Sequence, residues 1–126
     1  MYLFIGERPS NKALQMGVNW EDGRLAAKQL FDALLANGID PTQQVFINWF
    51  KHLDGPFVAK RGIKSTIGRI KNVGYQPVAL GRRVSKAMTE AQIDHLFMIH
   101  PAARGKIRKK SRYIKHVRKV LNGTRS

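Results

Sequence analysis

Hydrophobic and polar positions along this chain switch repeatedly between the two-residue period of strands and the 3.6-residue period of helices. Residues 2–6 form a short apolar run closed by Gly6 and Pro9, the mark of a buried strand. Residues 21–37 place apolar side chains at 25, 26, 30, 31, 34 and 35, one helical face, with Gly38 as the stop. A second buried strand is predicted over 45–50, a basic helix over 60–72 closed by Gly74, and a third strand over 76–80. Gly81 turns the chain into a helix over 82–91, and a fourth strand over 93–99 ends at His100-Pro101. The last helix covers 108–121, with Ile114, Val117, Val120 and Leu121 facing inward and Gly123 beyond it.

Four strands alternating with four helices predict an α/β fold: one three-layer αβα domain with a four-stranded, mostly parallel sheet joined by right-handed crossovers. The 126 residues read as this single domain, 1–126, with a basic C-terminal helix over 108–122.

Charge changes the picture most. Lys and Arg number 23 against 8 Asp and Glu, a net charge of +15. From residue 100 onward there is no acid, and further basic clusters sit at Lys60, Arg61, Lys64, Arg69 and Lys71 and at Arg82, Arg83 and Lys86. So lopsided a surface attracts polyanions, and DNA is the expected partner. A solvated basic face and an anionic membrane surface are the plainer readings; the C-terminal stretch lacks the aromatic, apolar face that membrane binding needs.

The chain has no cysteine, which excludes disulfides, thiolate-held zinc and a catalytic thiol. Its apolar runs fall far short of the ~20 residues that cross a bilayer. The first residues lack the basic lead-in of a signal peptide, so a cytoplasmic monomer is expected. The four histidines make no metal-ligand spacing, and neither metal nor cofactor is expected.

In open parallel sheets, ligands bind beyond the carboxyl ends of the strands. Those ends supply Gly6, Glu7 and Arg8 after the first strand and Asn48 and Trp49 in the second. They supply Gly81 and Arg82 after the third, and His100 and Pro101 after the fourth. A carboxylate, an amide and an imidazole thus converge on one edge. Each has a plainer role as well: Glu7 as a surface acid, Asn48 as a turn cap, His100 as a turn histidine, and Trp20 and Trp49 as core.

Taken together, these residues resemble the uracil-DNA glycosylase superfamily over most of the chain. Gly6-Glu7-Arg8-Pro9-Ser10 looks like that family's first motif, a Gly-x-x-Pro turn, closest to the branch reading Gly-Glu-x-Pro-Gly. Val45-Phe46-Ile47-Asn48 is similar to the strand ending in a base-reading asparagine, and Ala79-Leu80-Gly81-Arg82 to the branch's third-strand turn. Met98-Ile99-His100-Pro101-Ala102 resembles the last motif, which precedes a DNA-penetrating loop. Three departures are visible. Arg8 stands where some branches carry Asp or Asn, Ser10 replaces a common Gly, and the branch's iron–sulfur cluster has no cysteines to hold it.

The resemblance implies excision of uracil or a related modified pyrimidine from DNA, single- or double-stranded, after the base is flipped out. Glu7 and His100 would be catalytic, with Gly6, Asn48, Trp20 and Trp49 around the base. Arg8, Lys60, Arg61, Lys64, Arg82, Arg104, Lys106, Arg108, Lys109, Lys110 and Arg112 would grip DNA, Arg104 as the wedge. The rivals are a non-catalytic DNA binder on the same fold and another nucleotide enzyme; no Gly-rich phosphate loop supports the latter.

Overall fold

The computed structural model describes residues 1–7, 26–51, 57–101 and 109–122. In chain order its elements are β1 (Tyr2–Gly6), α1 (Ala26–Ala36), a 3-10 turn (Pro41–Gln43), β2 (Val45–Asn48), α2 (Ile63–Asn72), β3 (Gln76–Leu80), α3 (Arg82–Glu90), β4 (Leu96–Met98) and α4 (Lys110–Asn122). The sheet order is β2-β1-β3-β4, and every pairing is parallel.

β1 lies inside the sheet, paired on both edges and covered on both faces, which is why Leu3, Phe4 and Ile5 are all completely buried. Successive strand residues point to opposite faces, and the core divides accordingly. Phe4, Val78, Leu80 and Met98 meet Leu30 and Leu34 of α1 and Tyr113, Val117 and Leu121 of α4. Leu3, Ile5 and Ala79 meet Ile63 and Ile67 of α2 and Val84 and Met88 of α3. So α1 and α4 cover one face while α2 and α3 cover the other, the expected three layers. Asn37 ties the first pair, donating to the carbonyls of Ala33 (2.8 Å) and Ile114 (3.2 Å) and accepting from Arg118 Nε (3.0 Å).

Five expectations shift. The second strand stops at Asn48 rather than residue 50, because Phe50 turns into an antiparallel bridge with Ala59. The basic helix starts at Ile63, since Gly62 sits at φ 75° and leaves Lys60 and Arg61 on the approach. The fourth strand contracts to Leu96–Met98: His95 Nδ1 takes the Ile93 carbonyl at 2.8 Å, drawing it from the ladder. On α1, Leu35 is exposed and Ala33 occupies the inward position instead. The last helix begins at Lys110, and Tyr113 joins its inner face, while Ile114 and Val120 are half-buried. Residues 21–25 and Gly123 lie outside the described residues.

Candidate functional site

The first connection carries the chain from β1 to β2 on one side; the next two carry it to β3 and β4 on the other. The strand order therefore reverses between β1 and β3, the point where open parallel sheets place a ligand crevice at their carboxyl ends. Gly6 and Glu7 leave β1 on one lip, and Gly81 leaves β3 on the other. Asn48 is in register with Gly6 and is buried. The backbones stay linked past the strands, with Trp49 N–H donating to Gly6 O and Phe50 N–H to Glu7 O, both at 2.9 Å.

His100 is brought in by the turn after β4 and lies against Gly81. A Cβ added to Gly81 would stand 3.4 Å from the His100 Cβ, and Gly81 holds φ 96°, where an L side chain is strained. Burial depresses the His100 pKa below its ordinary value, while the charge of Glu7, a smaller influence, raises it. At neutral pH the imidazole is thus uncharged.

Behind it, α4 grips the neighbouring residue from both sides. Tyr113 Oη donates to the Ile99 carbonyl at 2.8 Å, and the Ile99 N–H donates to His116 Nε2 at 2.9 Å. Burial raises the Tyr113 pKa further, and it lowers that of His116, an effect Lys119 reinforces, which keeps Nε2 free to accept.

Glu7 faces Arg83, whose Nε lies 3.7 Å from Glu7 Oε1. The same guanidinium sits 3.8 Å over the Phe57 ring, a cation–π contact that fixes its position. Sequence reasoning passed over Arg83 and Phe57 as site residues. A signal was present: Arg82 and Arg83 open α3 at the positive end of its dipole, an unfavourable place for cations without another purpose.

The basic residues follow the same geometry. Each helix runs back antiparallel to the strand before it, so its first turn lies at the carboxyl edge. Lys60, Arg61 and Lys64 at the start of α2, Arg82 of α3, and Lys109, Lys110 and Arg112 of α4 therefore share the edge that holds Glu7 and His100. Among the described residues no helix has an acid in its first turn, and Glu7 is the one acid on the described loops after the strands. Lys110 is partly neutralised by Asp32 at 3.7 Å, which also holds Lys28 at 3.0 Å.

Trp49 departs from its expected role against a base: it is 4% exposed and belongs to the apolar layer under α2 and α3, so its plainer role as core fits. Arg8, Trp20, Arg104, Lys106 and Arg108 lie outside the described residues. Among the described residues no cluster of His, Asp or Glu has a metal-holding arrangement, and no helix is long and apolar enough to cross a membrane.

Fold and site together define an open, doubly wound parallel α/β domain with a basic carboxyl edge. A scan against protein-family models and a search of curated proteins find no match to the chain.

The pairing of Glu7 with His100 has a measurable consequence. Replacing Glu7 with Gln removes the influence that raises the imidazole pKa, so His100 should titrate lower still in an NMR pH series. An unchanged or higher value would mean that Glu7 does not act on it.

Proposed function

We infer that the protein is a DNA glycosylase of the uracil-excising type, hydrolysing the N-glycosidic bond of uracil or a related pyrimidine. The observation that carries this reading is the convergence of neutral His100, Glu7 and Asn48 at the reversal point of a sheet whose surrounding helix starts are basic. The order of the motifs around Gly6, Asn48, Gly81 and His100 supports it independently.

In this reading the cations at the starts of α2, α3 and α4 hold phosphates on either side of an extruded nucleotide. Asn48 supplies an amide that both donates and accepts, matching a pyrimidine edge. As the bond breaks, negative charge develops on the departing base and positive charge on the sugar. His100 donates a hydrogen bond to the former. Glu7 opposes the latter or orients the attacking water. The proton that water gives up and the electron pair of the broken bond both end on the base, leaving an abasic sugar.

A binder without chemistry is the second reading, favoured by one contact: Arg83 already engages the Glu7 carboxylate. The two separate on a labelled oligonucleotide carrying one uracil, incubated as single strand and as duplex and then treated with hot alkali. Strand breaks at the uracil are expected. Salt-sensitive binding with no break in either form would remove uracil excision and leave the binder.

A further inference from the structure

The basic surface does not end at the strand-end edge. On α2 the buried positions Ile63 and Ile67 face the sheet, and Lys64, Arg69 and Lys71 are exposed along the helix. On α4 the buried positions are Tyr113, Val117 and Leu121, and Arg112, Lys115 and Lys119 are exposed. Neither helix contains an acid. Arg69, Lys71, Lys115 and Lys119 sit in the later turns, away from Glu7 and His100, and excision of a base at the carboxyl edge gives them no task.

The two helices lie on opposite faces of the sheet. Each packed layer adds roughly 10 Å, so the whole thickness of the sheet separates them. A straight duplex along the outer face of one helix cannot reach the other. Nor can a short duplex wrap around both, because DNA is stiff over about 150 bp. We propose that α2 and α4 are two separate phosphate-binding faces and that one protein molecule bridges two DNA duplexes. This rests on DNA as the partner but not on base excision.

The test uses the full chain and uracil-free DNA. One duplex of about 20 bp is fixed to beads, and a second, labelled duplex of unrelated sequence is offered in solution. The wild-type protein should hold the labelled duplex on the beads. Two variants remove one face each: Arg69→Gln with Lys71→Gln, and Lys115→Gln with Lys119→Gln. These are exposed helical positions where Gln is a comparable helix former, so the fold is retained.

Either double change should cut capture of the second duplex at least about tenfold while single-duplex binding persists at low salt. That binding should show a log–log salt dependence shallower by up to about 2. Arg69→Lys with Lys71→Arg, or Lys115→Arg with Lys119→Arg, should keep capture intact, because the charge remains. Three results would overturn the proposal: wild-type protein that binds one duplex without capturing a second, capture that survives loss of one face, or a single double change that abolishes all binding. The second would trace bridging to self-association and the third would leave only one DNA face. Absence of binding to both duplex and single-stranded DNA would sink the glycosylase reading as well, whereas single-strand binding alone, or duplex binding without bridging, would sink this inference alone.

Discussion

Replacing His100 with Ala is expected to slow base excision about 100-fold or more while leaving DNA affinity nearly unchanged. The imidazole is held at the reversal point between β1 and β3, and burial keeps it neutral at pH 7. It is therefore a donor whose bond to an uncharged base is ordinary and whose bond to a departing anion is strong. Loss of one such preorganised donor typically costs a factor of about 10² to 10³ in rate. In the proposed reading the phosphate contacts sit elsewhere, on Lys60, Arg61, Lys64, Arg82 and Lys109 at the helix starts, so binding should be spared. Single-turnover excision and a binding titration on the same oligonucleotide measure the two effects. Equal loss of both would assign His100 to binding; no loss of either would return it to a turn residue before proline.

The largest effect on stability is expected at Tyr113. Its ring is 1% exposed within the apolar layer between the sheet and the α1–α4 pair, and its hydroxyl holds the Ile99 carbonyl. Tyr113→Ala removes that contact area, leaves a cavity and strips the carbonyl of its partner. A loss of about 3–5 kcal/mol follows by analogy with other buried aromatic truncations, a large part of the ~5–15 kcal/mol that holds a typical domain folded. Tyr113→Phe keeps the ring and gives up one hydrogen bond, about 1 kcal/mol. Urea denaturation of the three proteins orders them, and a Phe variant as unstable as the Ala variant would contradict this account. Because Ile99 precedes His100, the Phe variant should also lose some excision with its fold intact.

The parts of this structure legible in the sequence are those encoded by neighbours along the chain. β1 and β3 fall at the predicted limits because their apolar runs are bounded by Gly6 and Gly81. The helical faces of α2, α3 and α4 follow from the spacing of Ile63 and Ile67, Val84 and Met88, and Val117 and Leu121. What escaped is tertiary. Trp49 stays open in the sequence between stacking on a base and core, because nothing local says that α2 folds over it. The shortening of β4 depends on His95, which joins Ser85 Oγ and the Ile93 carbonyl at 2.8 Å each. Arg83 becomes a site residue only when Phe57 and Glu7 arrive from other connections, and the hold of Tyr113 and His116 on Ile99 spans the β4–α4 crossover.

The place of β1 inside the sheet also sets an order of events during synthesis. This strand is made first, yet Leu3 pairs with Val45 on one side and Pro77 on the other, both translated later. At about 5–20 residues per second, the nascent chain carries a fully apolar Leu3-Phe4-Ile5 segment for seconds before either edge is covered. The crevice waits longer still, since one lip is Glu7 and its imidazole comes from His100. An unfinished chain therefore exposes a strand that invites pairing with other chains while its carboxyl edge is incomplete, so aggregation during translation is the hazard this topology builds in.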